Sequence, residues 1–181
     1  FEQLYKKYMD LKKYISSIND FPKKGIIFRD VTPILQNPQA YSYVCEKFLE
    51  YAKKQNATAI VAPEARGFMF GCPVAVMQNI AFIPVRKPGK LPRETIYEEY
   101  SLEYGKNVLS MHIDALSSKD RVIIIDDLLA TGGTALAAAK LCERLNAKVV
   151  GMAFVVDLVD LKGRELLNKY DILTLTEYEG E

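Results

Sequence analysis

Arg121-Val-Ile-Ile-Ile-Asp126-Asp127-Leu-Leu-Ala130-Thr131-Gly132-Gly133-Thr134 is the stretch that decides the fold. Val122 to Ile125 is a run of β-branched residues with no polar face, the pattern of a fully buried strand. Two adjacent carboxylates close that strand. A short loop of small and hydroxyl residues follows, and the spacing predicts a helix from about 133 to 145. In open α/β sheets, ligands bind outside the carboxyl ends of strands. Backbone N–H groups and the dipole at a helix amino terminus favour an anion there. Gly132 and Gly133 let the backbone come close to it, and Thr131 and Thr134 add hydroxyl donors. Asp126 and Asp127 would repel a phosphate, whereas two acceptors beside a phosphate cradle suit the vicinal hydroxyls of a ribose. The stretch therefore points to a sugar phosphate. An ordinary buried strand, an acidic turn and a helix cap would carry the same residues. No GxxxxGK[ST] loop and no GxGxxG after a strand occur elsewhere.

The periodicity on either side extends the pattern. Leu4, Tyr8, Leu11, Ile15 and Ile18 recur at three and four, predicting an amphipathic helix over 2–18. Residues 19–35 read as a loop, 39–54 as a helix, 58–62 as a buried strand, 68–78 as a helix and 80–85 as a strand. Residues 86–94 read as a mobile surface loop. Residues 95–113 predict a β-hairpin turning at Gly105-Lys106-Asn107. A strand at 149–156, a helix at 160–168 and a strand at 171–175 complete the chain. Strands alternating with helices imply an α/β fold: an open, mostly parallel twisted sheet with helices on both faces.

With 181 residues the chain suits one domain over 1–181. Apolar residues at 49% and charged residues at 26% are an ordinary globular balance, and a net charge of +1 gives no global field for nucleic acid or membrane. Cys45, Cys72 and Cys142 are far apart, form no CxxC pair and read as buried small hydrophobes in a reducing compartment. No membrane-length apolar run and no signal-peptide pattern is seen, so the cytoplasm is expected. Phe1 is not an initiator; Met9 offers a start, with 1–8 an extension before it. His112, the single histidine, reads as structural.

The central stretch resembles the donor-binding motif of the type I phosphoribosyltransferases, and four further segments match in the same order, from about residue 9 to 178. Phe21-Pro-Lys-Lys-Gly25-Ile-Ile-Phe28-Arg29-Asp30 is similar to the base-binding segment of the adenine-specific branch. Pro63-Glu64-Ala65-Arg66-Gly67-Phe68 is similar to the pyrophosphate loop. Val85 to Pro92 followed by Tyr100-Ser-Leu-Glu103-Tyr104-Gly105 is similar to the flexible catalytic loop. Leu161-Lys162-Gly163-Arg164-Glu165 is similar to a carboxyl-terminal segment.

The resemblance implies a small hood from the amino-terminal segment, a flexible β-hairpin loop and a homodimer. It implies transfer of the phosphoribosyl group from 5-phosphoribosyl-1-pyrophosphate to adenine, giving AMP and pyrophosphate, with Mg2+. Ala130, Thr131, Gly132, Gly133 and Thr134 are expected to hold the 5-phosphate. Asp126 and Asp127 are expected to face the ribose hydroxyls, directly or through magnesium held mainly by donor phosphates and waters. Arg66 is the candidate for the pyrophosphate, because guanidinium offers planar paired donors; Glu64 and Ala65 flank it, with a cis or strained peptide implied near them. Arg86, Lys87 and Lys90 form a basic cluster for the leaving group, on a loop over 86–104 expected to close over the donor. Glu103 is the candidate to manage the base proton. Phe28 is expected to stack on adenine with Leu158 opposite, while the backbone of Ile27 and Arg29 reads the base edge. Asp157 stands where similar sequences carry glutamate, so its carboxylate is given no role. Two alternatives stay open: transfer to another purine such as xanthine, and a non-catalytic sensor of the donor. A sensor needs a nucleic-acid module, and neither the amino-terminal segment nor a basic stripe supplies one.

Overall fold

The computed structural model describes residues 8–102 and 105–180. The strands are β1 (Ser16–Asn19), β2 (Ile27–Asp30), β3 (Ala59–Pro63), β4 (Ala81–Val85), β5 (Thr95–Leu102), β6 (Gly105–His112), β7 (Arg121–Leu129), β8 (Lys148–Leu158) and β9 (Ile172–Tyr178). The helices are α1 (Thr32–Gln36), α2 (Pro38–Lys54), α3 (Arg66–Gln78), α4 (Gly133–Arg144) and α5 (Gly163–Leu166). A five-stranded sheet in the order β4-β3-β7-β8-β9, parallel throughout, forms the centre.

The strand alternation explains why helices cover both faces. Ile123 and Ile125 pack into one core with Phe48 of α2 and Phe70 of α3. Val122 and Ile124 face the other way, into a core with Leu141 and the alanines of α4. A strand buried on both sides needs an apolar residue at every position, and β7 has one from 122 to 125.

Two smaller sheets sit beside this frame. β1 and β2 pair antiparallel, Ser17 opposite Arg29 and Ile18 opposite Phe28, and form the hood. β5 and β6 pair antiparallel from Thr95–His112 to Leu102–Gly105.

Several sequence expectations are corrected. The segment up to residue 18 is not one helix where it is described. Leu11–Tyr14 is a single 3-10 turn, and β1 follows. Leu11 and Ile15 are buried, but Ile18 is 42% exposed, so only part of the helical spacing faces a core. Pairing with β2 overrides the local pattern. The loop expected over 19–35 contains β2 and α1. Gly105, Lys106 and Asn107 belong to β6 and not to the turn. Residues 159–166 form a 3-10 turn and the four-residue α5 in place of a longer helix. β7 does not stop at the carboxylates: it runs on to Leu129, because β8 continues the ladder with Phe154 opposite Asp126 and Asp157 opposite Leu129. Cys45 and Cys142 are buried, whereas Cys72 is only partly so. No helix of the described residues is long and apolar enough to cross a membrane.

Candidate active site

The site lies at the carboxyl end of the sheet, where β3 and β7 deliver their last residues next to the starts of α3 and α4. Gly67 lets α3 approach β7. A Cβ there would stand 2.9 Å from the Ile125 carbonyl oxygen and 3.1 Å from Asp126 Oδ1. That approach places Arg66, the first residue of α3, over the carboxylates. Its Nε lies 2.9 Å from Asp127 Oδ2. The contact is an ion pair and not an aligned hydrogen bond; Oδ2 is buried and accepts no hydrogen bond among the described residues. Asp127 is 3% exposed, and its N–H donates to Asp126 Oδ1 at 2.9 Å.

Electrostatics follow from this crowding. Burial, then the charge of Asp127, pushes the Asp126 carboxyl well above the ordinary carboxylate range, with Arg66 opposing. Burial also raises Asp127, again against Arg66. Like charges side by side, one buried and one half-buried, resist joint ionisation. The pair therefore favours an incoming hydroxyl donor or cation.

Behind the carboxylates the chain bends at Gly132, whose φ of +85° is a left-handed conformation that glycine adopts without strain, and α4 begins at Gly133. Arg66, Asp126, Asp127 and the whole of Ala130, Thr131, Gly132, Gly133 and Thr134 line one cavity of about 200 Å3. Phe154 also lines it, which the sequence reading missed; its position opposite Asp126 in the β7–β8 register is the signal that points there.

The base segment meets this cavity through Arg66, whose guanidinium carbon lies 5.4 Å from the centre of the Phe28 ring. Phe21 packs edge-on against the same ring at 5.2 Å. The Ile26 carbonyl accepts a hydrogen bond from Phe21 N–H. By the alternation of an antiparallel pair, the N–H and C=O groups of Ile27 and Arg29 turn to the other edge of β2, which pairs with no strand among the described residues. The Arg29 side chain turns away, to Ser17 Oγ at 2.6 Å and the Tyr178 ring at 4.1 Å. Leu158 ends β8 and is buried.

The basic cluster is arranged differently from its expected grouping. Arg86 is not directed into the cavity but bound to Glu64: its Nε and Nη2 each lie 2.8 Å from Glu64 Oε2, and Lys87 N–H donates to Oε1 at 2.8 Å. Partial burial of Glu64 works against its charge, but the Lys87 amide and Arg86 prevail and hold its carboxyl below the usual range. A paired guanidinium beside a fixed carboxylate is the lower-energy arrangement here. Lys87 and Lys90 are exposed and do not line the cavity. The peptide between Glu64 and Ala65 is cis. Glu103 lies outside the described residues.

The root of the expected mobile loop is anchored. Arg86 and Ser110 exchange backbone hydrogen bonds at 3.0 and 2.7 Å. Glu98 of β5 meets Lys140 of α4 at 3.1 Å, and Arg144 at 3.6 Å. Arg93 N–H donates to the buried His112 ring at 3.4 Å. These contacts tie parts of the segment expected to close over the donor to β6 and α4 in this conformation.

A family model for the phosphoribosyl transferase domain matches residues 30–178. An adenine phosphoribosyltransferase from Thermoanaerobacter pseudethanolicus is 48% identical, with 93% of this chain and 98% of that chain covered and a TM-score of 0.90. The chain belongs to the adenine phosphoribosyltransferase family. The enzyme from Rhodothermus marinus is 44% identical over 93% of this chain and 96% of that one, with a TM-score of 0.87. The Saccharomyces cerevisiae enzyme, solved with adenine and an imino-altritol bisphosphate, is 38% identical over 91% and 96%, with a TM-score of 0.86. The five-stranded parallel sheet with helices on both faces is the fold these family members share with the chain.

Proposed function

We propose that the chain transfers the 5-phosphoribosyl group of 5-phosphoribosyl-1-pyrophosphate to adenine, forming AMP and pyrophosphate. The observation that carries this is one cavity holding a glycine-bent phosphate loop, two desolvated carboxylates and an arginine, with Phe28 against that arginine. The yeast relative binds adenine together with a sugar-bisphosphate analogue, which supports the same pair of ligands here.

In this reading the backbone of Ala130 to Thr134 binds the 5-phosphate at the start of α4. Asp126 and Asp127 accept from the ribose hydroxyls. The C1–oxygen bond to pyrophosphate breaks as the bond from C1 to the adenine N9 forms, through a state with positive charge on the sugar. Arg66 leaves Asp127 for the departing pyrophosphate, where its charge is worth more as negative charge grows. Lys87 and Lys90 are free to turn inward on their loop, while Arg86 keeps that loop tied to Glu64. Phe28 stacks on the base, Leu158 closes its other face, and Ile27 and Arg29 offer backbone groups to the base edge. Glu103 takes up the base proton.

Magnesium fits as a companion of the donor. Among the described residues no cluster of three or more acidic, histidine or cysteine side chains could cage a metal. Asp126 and Asp127 are nonetheless two desolvated carboxylates suited to a hydrated ion already held by phosphates. When bound, it neutralises charge on the leaving pyrophosphate. The reading also includes a homodimer, supported by the exposed apolar Val76 and Met77 on α3, and the cytoplasm, supported by free thiols at Cys45, Cys72 and Cys142.

The test is turnover with the donor, magnesium and each of adenine, hypoxanthine, guanine and xanthine. AMP from adenine alone is the expected result. Turnover of another base overturns the assignment of Ile27 to Arg29 as base reader, and turnover of none overturns the catalytic reading.

A further inference from the structure

The segment Leu161 to Glu165 has no part in the site described so far, yet it lies directly behind the phosphate loop. β8 ends at Leu158, a 3-10 turn spans Val159–Leu161, and Lys162 takes a left-handed φ of +57° that delivers Gly163 against the bend. A Cβ on Gly163 would overlap the Ala130 carbonyl oxygen and stand 2.7 Å from Leu129 Cδ1. From the other side, a Cβ on Gly132 would stand 3.0 Å from the Gly163 carbonyl oxygen. Two backbones thus meet with no side chain between them. The turn is itself anchored: Arg164 Nε lies 2.6 Å from Asp157 Oδ2, and its Nη2 donates to Thr174 Oγ1 on β9 at 2.6 Å. Asp157 is 1% exposed, so the carboxylate that holds Arg164 is buried.

A phosphate cradle must keep its N–H groups to within a fraction of an ångström, but a loop built on Gly132 and Gly133 has little stiffness of its own. We propose that Gly163, held by the Asp157–Arg164 pair, is a positioning residue that braces the 130–132 bend and sets where the donor phosphate sits. Asp157 then has a role in anchoring that brace. The identity of the donor rests on the proposed function; the brace itself rests on the contacts.

Gly163→Ala and Arg164→Gln test this, read by the affinity for ribose 5-phosphate, by the separate KM values for donor and adenine, and by thermal melting. Gly163→Ala is expected to weaken ribose 5-phosphate and raise the donor KM on the order of tenfold, because small misplacements are costly at such sites, with the adenine KM changed less than about twofold. Arg164 is partly exposed, so Arg164→Gln folds and is expected to show the same selective effect at about threefold. A folded Gly163→Ala with unchanged affinity, or equal losses for both substrates, overturns the brace. If Gly163→Ala does not fold, Arg164→Gln decides by the same criterion. Wild-type protein that binds ribose 5-phosphate but turns over no base refutes the proposed function and leaves the brace to be judged by affinity. Wild-type protein that binds no ribose 5-phosphate overturns both.

Discussion

Arg66 reaches from the first turn of α3 to Asp127 inside β7, Nε to Oδ2 2.9 Å, across a gap that Gly67 keeps narrow. The same guanidinium stands over Phe28. One side chain therefore links the buried Asp127 carboxylate to the Phe28 ring.

Replacing Arg66 separates catalysis from stability. Arg66→Gln is expected to lower kcat/KM for the donor on the order of 10²-fold, the usual loss when one charge-stabilising donor is removed. The melting temperature is expected to fall by roughly 2–4 °C, since Asp127 is left buried without its partner while the 40% exposure of the Arg66 side chain screens the pair. Arg66→Lys recovers only part of the rate, as an ammonium lacks the planar fork. Steady-state kinetics decide: full activity in Arg66→Lys contradicts paired recognition.

Asp126 is expected to trade stability for binding. Asp126→Asn keeps the acceptor for Asp127 N–H but removes one of two like charges. The folded Asp126 carboxyl is raised, so stability from its proton is complete below the ordinary value of 3.8 and is lost as pH rises through the folded value. The variant escapes that loss. It is expected to match wild type in strong acid and to melt higher at neutral pH by roughly 2–4 °C, equivalent to about 1 kcal/mol, while binding the donor less tightly. Melting against pH tests the sign; a variant less stable at neutral pH contradicts it.

Glu64 behaves in the opposite way. Its carboxyl is held low while it anchors Arg86 and Lys87. The stability it adds is present above its ordinary value of 4.5 and lost as pH falls through the folded value. Glu64→Gln is expected to cost about 1 kcal/mol at neutral pH, part of it screened at the surface. The gap to wild type closes in acid. Urea unfolding at several pH values measures it, and a gap that widens in acid refutes the assignment.

Tyr178 connects the hood to the sheet. Its ring lies 4.1 Å from the Arg29 guanidinium carbon and 4.7 Å from Lys12 Nζ. Losing such a cation–ring contact is worth about 0.5–1 kcal/mol. Tyr178→Leu is expected to raise the adenine KM about two- to fivefold by that amount, without a matching change for the donor. Tyr178→Phe retains the ring and remains near wild type. Equal behaviour of the two variants would remove Tyr178 from base binding.

Much of the central frame is legible in the sequence. The apolar run 122–125, the carboxylates and the glycine bend are neighbours in sequence, and each signals through backbone preference or side-chain period alone. The hood was implied by the family resemblance, but its strands were not legible: Leu11, Ile15 and Ile18 carry a helical spacing that a few local residues define, while the strand partner that overrides it begins at Ile27. The pairing of the basic loop was hidden for a related reason. Arg86, Lys87 and Lys90 look alike in sequence, and only the placement of Glu64 at the end of β3 takes Arg86 out of the cavity.

The sequence by itself determined the parallel α/β order of elements and the succession of carboxylates, glycine bend and helix start over residues 126–134, because a buried strand, a left-handed glycine and a helix start are specified within a few residues. The tertiary structure alone decided that β7 runs on to Leu129, that Arg66 closes on Asp127, and that Gly163 lies against the 130–132 bend. Those relationships depend on strand register and on how closely two backbones approach, and both are set by packing between segments far apart in the chain.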